Sequence, residues 1–135
     1  MDSLKVSCVI PARPDRVYKA WLSSKEHSAF TGGKARVGAK AGGKFTAWDG
    51  YISGITVELE PNKRIVQKWR TADFPDSAPD SLLEILVEKS SAGTKLTVKQ
   101  SMIPRGQGKN YKKGWGDYYF TPMKEYFASL KENRK

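Results

Sequence analysis

The chain has 135 residues, with 24 basic and 14 acidic side chains, a formal net charge of +10 and 39% hydrophobic residues. This length predicts one domain over residues 1–135 that buries a core without disulfides or metals, and the composition excludes wholesale disorder. The single cysteine, Cys8, excludes an internal disulfide, a CxxC redox pair and a cysteine-rich zinc site. Nothing resembles a membrane span or a signal peptide, so we expect a soluble cytoplasmic domain.

The positive charge is concentrated at the two ends of the chain. Residues 1–45 hold nine basic and three acidic side chains and residues 105–135 hold eight and three, whereas residues 46–104 hold seven and eight. Basic ends favour an acidic partner through long-range attraction. Nucleic acid is disfavoured as that partner, because zinc-finger spacing and RNP-type runs are absent and the aromatic residues fall at core-like periodic positions.

The N-terminal third predicts one strand followed by two short helices. Residues 4–11 are rich in β-branched side chains and end at a proline. Pro14 suits the first turn of a helix, and apolar residues follow it at helical spacing: Val17, Tyr18, Trp21 and Leu22. A second helix is predicted from Ser24 to Phe30, capped by Ser23 or Ser24 and ended by the glycine pair at 32–33.

The segment from residue 34 to about residue 103 predicts strands and turns. Asp49-Gly50 is a strong two-residue hairpin signal. After it, residues 51–60 alternate as in a half-buried strand, with Tyr51, Ser53, Ile55, Val57 and Leu59 on one side. A strand over 64–70 and a hairpin joining 82–88 to 95–103 complete an antiparallel meander.

The C-terminal segment changes to a helical period. Apolar residues recur at positions 111, 115, 118, 119, 123, 126, 127 and 130, which predicts a long amphipathic helix that Pro122 should kink or leave with an unpaired carbonyl. This helix has the apolar face needed to cover one side of the sheet. The fold class predicted is therefore α+β, with a curved antiparallel sheet of about six or seven strands gripping a long C-terminal helix.

A curved sheet bends away from a straight helix, so this architecture suggests a cavity between them. The candidate cavity residues combine large apolar area with a few polar groups: Phe45, Gln67, Trp69, Gln100, Trp115, Tyr119 and Met123. The same composition suits a filled core, and the sequence leaves both alternatives open. Gln67 and Gln100 either orient a ligand or bond each other or water.

Residues suited to catalysis are few. The single histidine, His27, would need Cys8 beside it and a third group to orient the imidazole, whereas Cys8 fits a small core hydrophobe better. The carboxylates Glu58 and Glu60 share the polar face of one strand, as solvated residues do. Metal-ligand spacing and phosphate-binding glycine patterns are both absent. We therefore expect a non-enzymatic protein with no cofactor and no metal, and hydrolase or cyclase chemistry in the cavity is the weaker alternative.

Several motifs resemble a known family, in order and over nearly the whole chain. They are Phe30-Thr31-Gly32-Gly33, Gly42-Gly43-Lys44-Phe45, Trp48-Asp49-Gly50-Tyr51-Ile52-Ser53-Gly54, Glu58-Leu59-x-Pro61, Arg64-Ile65-Val66-Gln67-x-Trp69-Arg70 and Gly114-Trp115-x-x-Tyr118-Tyr119. The chain resembles the family of activator of heat-shock-protein ATPase homologue 1. That resemblance implies the helix-grip fold, also called START-like or Bet v 1-like, of the SRPBCC superfamily.

The resemblance implies two different functions. Small single-domain relatives are described as binders of hydrophobic ligands, which makes the leading expectation a small apolar or amphipathic ligand in the cleft beneath residues 111–130. The alternative is a co-chaperone-like module that binds the 90-kDa heat-shock chaperone and modulates its ATPase. In that case basic residues at both ends would meet an acidic partner surface: Lys34, Arg36, Lys40, Lys44, Lys109, Lys112 and Lys113.

Overall fold

The computed structural model describes residues 1–132, and the side chains of residues 1–130, so the end of the predicted domain at 133–135 lies outside it. Over these residues the chain forms seven strands and four α-helices. The strands are β1 (Asp2–Ile10), β2 (Arg36–Val37), β3 (Lys44–Ala47), β4 (Ile52–Glu60), β5 (Arg64–Thr71), β6 (Ser81–Ser90) and β7 (Gly93–Ile103). The helices are α1 (Pro14–Leu22), α2 (Ser24–Thr31), α3 (Gly108–Gly114) and α4 (Thr121–Glu132).

All seven strands form one antiparallel sheet in the order β1-β7-β6-β5-β4-β3-β2. Strands β2 to β7 are a meander of consecutive neighbours, and β1 pairs with β7 at the far edge. The predicted antiparallel sheet and its strand number are therefore confirmed.

The two N-terminal helices begin and end where local chemistry predicts. Pro14 stands in the first turn of α1. The Ser23 hydroxyl accepts a hydrogen bond from the Glu26 N–H and caps α2, and Gly32 ends that helix with φ of 83°. Arg16 on α1 pairs with Glu26 on α2, and the Tyr126 hydroxyl of α4 donates to the same carboxylate at 2.9 Å. This cluster joins three helices.

The C-terminal helical segment changes its hydrogen bonding near Pro122. Between α3 and α4, Trp115–Phe120 forms a π-helical turn, and the Thr121 N–H bonds the Gly116 carbonyl five residues back. Proline has no N–H to offer and crowds the preceding turn. Single π-helical turns occur within α-helices where the regular hydrogen-bond ladder is interrupted. The hydrogen-bond pattern thus changes directly before Pro122, and a kink or an unpaired carbonyl at that residue stays a prediction.

The hydrophobic core lies between the inner face of the sheet and the helices. Trp115, Tyr119, Met123 and Phe127 follow one face of the C-terminal segment, and all are at most 4% exposed. They pack with the buried residues of α1 and with inward-facing residues of β5 to β7. The aromatic side of this segment therefore faces the sheet, as the helix-grip prediction requires.

The connection between β3 and β4 corrects the prediction of a two-residue hairpin at Asp49-Gly50. Ala47 pairs with Ile52, so residues 48–51 form the loop. Both Trp48 and Asp49 have positive φ, 51° and 58°, within a short 3₁₀ turn. This backbone conformation turns the Trp48 ring toward the C-terminal segment, where it meets Tyr118 at a centroid distance of 5.7 Å.

Strand β4 also corrects the expected alternation. Ile52 and Thr56 are buried, whereas Ile55 and Val57 are 38% and 44% exposed. The register shifts between Thr56 and Glu58, because Val57 is the extra residue of a β-bulge. A bulge inverts the inward and outward parity of the residues after it, so Leu59 packs against the core although Ile55, four residues earlier, faces outward. One continuous period-two pattern therefore cannot describe both parts of the strand, and before the bulge it placed the wrong residues inside.

Among residues 1–132, no helix is both long and apolar enough to cross a membrane.

Candidate functional site

An open pocket of about 500 Å³ lies between the helical segment and one end of the sheet. The β3–β4 loop, the start of β4, the end of β5 and the segment 110–119 supply its walls. The lining residues are Trp48, Tyr51, Ile52, Trp69, Asn110, Tyr111, Gly114, Trp115, Tyr118 and Tyr119. The space between helix and sheet is therefore partly filled and partly open.

Three of the seven predicted cavity residues line this pocket: Trp69, Trp115 and Tyr119. Phe45 and Met123 are buried in the hydrophobic core, at 6% and 0% exposure, and neither is part of the pocket wall. Gln67 and Gln100 are 2% exposed and are also absent from the wall. The structure thus divides the predicted set between the pocket and the packed core beside it.

The two glutamines do not bond each other, which corrects one of the alternatives left open. Gln67 on β5 and Gln100 on β7 both pair with Leu83 on β6, which lies between those two strands. Strand β6 therefore separates the two glutamines. The Gln67 side-chain amide donates to the Thr56 hydroxyl at 3.2 Å. The Gln100 amide donates to the Ser81 hydroxyl at 3.0 Å, and its carbonyl accepts the Trp115 indole N–H at 3.0 Å. Gln100 therefore fixes one aromatic wall of the pocket from behind.

His27 stands behind another wall and is the largest departure from the sequence interpretation. It is 4% exposed, with Nδ1 at 2.9 Å from the Trp21 carbonyl and Nε2 at 2.9 Å from the Tyr119 hydroxyl. A carbonyl only accepts, so Nδ1 carries the proton and Nε2 accepts from Tyr119. Burial lowers the pKa of His27 to about 4, and burial also raises the pKa of Tyr119. Both groups are neutral near pH 7.

The opposite end of the pocket is held by a closed ring of hydrogen bonds. The Asp73 N–H donates to the Thr71 hydroxyl at 3.2 Å, which in turn donates to the Tyr111 hydroxyl at 2.6 Å. The Tyr111 hydroxyl donates to the side-chain carbonyl of Gln107 at 2.6 Å, and the side-chain amide of Gln107 donates to the backbone carbonyl of Asp73 at 2.9 Å. The ring joins strand β5, the loop after it and helix α3.

Tyr51, on the same side of the pocket, donates its hydroxyl proton to the Asp73 carboxylate. Burial, together with this hydrogen bond, raises the pKa of Tyr51 to about 12. Its hydroxyl therefore stays protonated and engaged with the protein near neutral pH.

Seven lining residues were not among the predicted cavity residues: Trp48, Tyr51, Ile52, Asn110, Tyr111, Gly114 and Tyr118. The four-residue spacing of Asn110, Gly114 and Tyr118 could have indicated that they line the pocket together, because residues four apart lie on one side of a helix. Trp48 and Tyr51 had no such signal, since the positive φ of the β3–β4 loop sets their positions.

The seven predicted partner-binding residues are all exposed and lie in two groups. Lys34, Arg36, Lys40 and Lys44 lie on β2, β3 and their flanking loops, while Lys109, Lys112 and Lys113 lie on α3. The Lys34 N–H donates to the Asp49 carboxylate, next to the lining residue Trp48. Helix α3 supplies the lining residues Asn110 and Gly114. Lys34 and the α3 lysines therefore lie beside two different walls of the pocket.

Ion pairs formed by the described residues use other side chains. Arg64 pairs with Glu58, Glu60 and Glu84, and Arg70 pairs with Asp80. Within the part of the chain described, none of the seven candidate cations has a carboxylate within 4.0 Å. Their charge is available to an external partner.

The residues considered for catalysis are not arranged for it. Both ring nitrogens of His27 bond Trp21 and Tyr119, so Cys8 is not its partner. Cys8 is half-buried against the core, and burial raises the pKa of its thiol to about 11, which disfavours the thiolate. Within residues 1–132, no group of three His, Cys, Asp or Glu side chains is placed to hold a metal ion.

Comparison with known proteins agrees with the fold and the motifs. A model of the family described as activator of Hsp90 ATPase homolog 1-like protein matches residues 11–128. The chain belongs to this family. The human activator of 90 kDa heat shock protein ATPase homolog 1 is 32% identical over 115 residues, which are 85% of this chain and 34% of that protein. This family member thus spans about a third of the length of its curated relatives.

Solved structures share the helix-grip architecture. An HSP90 activator from Plasmodium falciparum superposes with a TM-score of 0.82 at 23% identity, covering 93% of this chain and 96% of that one. The Aha1 dimer from Colwellia psychrerythraea gives a TM-score of 0.78 at 16% identity, covering 94% and 96%. At these identities the likeness shows the fold alone.

Proposed function

We propose that this chain is a non-enzymatic binding domain that docks on the 90-kDa heat-shock chaperone and modulates its ATPase. The observation that carries the proposal is the 32% identity to the human activator along 85% of the chain. That relative is about three times as long, so its activity is extended to this domain as a proposal. We place the domain in the cytoplasm as part of the same proposal, since one free cysteine suits a reducing compartment.

The exposed basic residues support a contact of this kind. Two groups of cations, on β2–β3 and on α3, form no ion pair with the residues that the structure describes, and the whole chain carries a charge of +10. Opposite charge on a partner accelerates encounter and fixes orientation, and salt weakens the attraction. We therefore expect association with the purified chaperone that is measurable at low ionic strength and weaker at high ionic strength.

The test is calorimetric titration of the purified chaperone with this chain, together with measurement of the chaperone's rate of ATP turnover. The double variant Lys112→Glu and Lys113→Glu should weaken binding about tenfold and reduce the effect on turnover in proportion. Its control is Lys89→Glu with Lys95→Glu, an equal charge change at exposed positions of β6 and β7. An equal loss of binding affinity in both double variants, or no association of the wild type at low salt, would refute the proposal.

The pocket favours a second function, which we propose alongside the first: the binding of a small apolar or amphipathic molecule. A volume of about 500 Å³ lies within the range of small-molecule sites, and seven of the ten lining residues are aromatic. Tyr51, Tyr111, Trp115 and Tyr119 are each held by hydrogen bonds, so much of the wall is preorganised.

Glycine positions on the helical segment allow a matched test of this second function. Gly114 lines the pocket, and a Cβ placed there would meet Tyr118 at an ordinary 3.7 Å. Gly116 is outside the lining, and a Cβ there would meet nothing within 4 Å. The neutral dye N-phenyl-naphthylamine should fluoresce on binding the wild type and Gly116→Phe, and bind at least tenfold more weakly to Gly114→Phe. Equal dye binding by all three proteins would exclude the pocket as the site.

A further inference from the structure

The pocket wall contains aromatic rings in several orientations. Trp69 is close to perpendicular to Tyr111, at 84° and 5.1 Å between centroids, and is tilted against Trp115 at 5.6 Å. Trp48 meets Tyr118 edge to face at 5.7 Å. Aromatic faces and edges arranged in this way favour stacking and edge contacts with another ring over contacts with a flexible alkyl chain.

The interior of the pocket offers little to a polar ligand group. The hydroxyl protons of Tyr51, Tyr111 and Tyr119 go to Asp73, Gln107 and His27. The Trp115 indole N–H goes to Gln100. No charged side chain is among the ten lining residues. A charged or strongly polar group placed deep in the pocket would lose water without gaining a partner, which is costly.

The mouth of the pocket is polar and its helical side is basic. Asn110 and Tyr118 are exposed lining residues on one strip of the helical segment. Lys109 and Lys113 each directly precede a lining residue and form a neighbouring strip of the helix. Lys112 adds a third positive charge to the same helix. The same stretch carries one acidic residue, Asp117, so its net charge is positive.

Two acidic residues lie beside the other walls of the pocket, and each accepts a hydrogen bond from the protein. The Asp49 carboxylate accepts the Lys34 N–H at 3.1 Å, and the Asp73 carboxylate accepts the Tyr51 hydroxyl. Their hydrogen-bonding capacity is therefore partly used by the protein, whereas the lysines of α3 have no ion pair among the described residues. A negative group at the mouth would find cations and the Asn110 amide within its surroundings.

We propose that the ligand class of this pocket is a planar aromatic anion, which enters with its rings first and keeps its carboxylate or similar group at the mouth beside α3. This inference rests on the proposed ligand-binding function. It adds three claims: the ligand is flat, it is negatively charged, and its charge stays outside the aromatic walls.

The test is displacement of bound N-phenyl-naphthylamine by three competitors. Naphthoate and naphthamide share one shape and differ in charge, while decanoate has the charge without the rings. At about 20 mM salt, naphthoate should displace the dye at about a tenfold lower concentration than either other competitor. The naphthamide concentration needed for displacement, divided by the naphthoate concentration, should fall toward one at about 500 mM salt. The same ratio should fall in the double variant Lys109→Glu and Lys113→Glu.

The outcomes separate this inference from the function on which it rests. If the dye binds and Gly114→Phe blocks it, but naphthamide competes as well as naphthoate, the pocket function stands and the anionic class is wrong. If decanoate competes as well as naphthoate, the planar class is wrong. If the dye and all competitors fail to bind the wild type, the pocket function and this inference fall together.

Discussion

His27 shows how one buried side chain orders its surroundings. Its imidazole takes its tautomer from the Trp21 carbonyl, and its other nitrogen accepts the proton of Tyr119 from 92 residues away. Around it, Trp21 and Phe30 pack at centroid distances of 5.2 and 4.8 Å. A protonated imidazole would require Tyr119 to turn its proton elsewhere in a closed environment. The neutral form is therefore part of the folded structure.

This argument predicts a pH dependence of stability. In the folded state the pKa of His27 is about 4, against 6.5 in its unperturbed state, so the unfolded chain binds a proton first as pH falls. The stabilisation is fully present above pH 6.5 and is lost between about pH 6.5 and 4, by on the order of 3 kcal/mol. Urea unfolding across this range should show that slope in the wild type.

The variant His27→Gln supplies the control for the pH prediction. Because glutamine does not titrate, the difference in unfolding free energy between wild type and variant should shrink as pH falls from 6.5 to 4. A difference that stays constant over that interval would show that His27 does not titrate with a lowered pKa.

At the scale of elements, the close contact between β4 and its neighbours depends on one glycine. A Cβ built on Gly54 would stand 1.8 Å from the Lys68 carbonyl oxygen and 2.7 Å from the Phe45 ring. Gly54 lies opposite Phe45 on β3 and Trp69 on β5. A side chain there would push apart two strand pairs near the bulge of β4.

We therefore expect Gly54→Ala to lower the free energy of unfolding by about 3 kcal/mol, through backbone displacement. The matched control is Gly116→Ala in the π-helical turn, where nothing lies within 4 Å of the new Cβ. That change should be neutral or stabilise by up to about 1 kcal/mol, because alanine is the better helix former. Thermal and urea unfolding of both variants provide the measurement, and similar effects in the two would contradict the steric argument.

At the scale of the whole molecule, Trp115 connects the helical segment to the sheet. Its ring packs against Trp69 of β5 at 5.6 Å and Trp21 of α1 at 6.2 Å, and its indole N–H bonds Gln100 of β7. It is 3% exposed, whereas Tyr118, three residues later, is 59% exposed. One indole thus contacts the N-terminal helix and two strands while forming a wall of the pocket.

Replacing this side chain should loosen the molecule as a whole. Trp115→Ala is expected to cost about 3–5 kcal/mol of unfolding free energy, from lost packing and the unpaired Gln100 carbonyl. Tyr118→Ala, on the exposed side, should cost less than about 1 kcal/mol. Chemical denaturation measures both values. Equal costs would mean that the helical segment is not anchored to the sheet through Trp115.

Most of the fold followed from local chemistry. The helical period of residues 111–130, the cap at Ser23 and the strand pairs from 82 to 103 all appear where the sequence predicted them. Such signals act between residues that are close in sequence, so they can be identified without knowing the tertiary contacts. Membership of the helix-grip family could also be seen in motifs spread along the chain, and the family match over residues 11–128 agrees.

The division between pocket and packed core was decided only by the tertiary structure. It depends on the positive φ of Trp48 and Asp49 and on the His27–Tyr119 hydrogen bond. The first is a backbone irregularity that no hydrophobic period encodes, and the second joins residues that only folding brings together. The sequence by itself determined the elements and their order, because these arise from neighbours along the chain. Which aromatic rings face an open space was determined by contacts between distant segments.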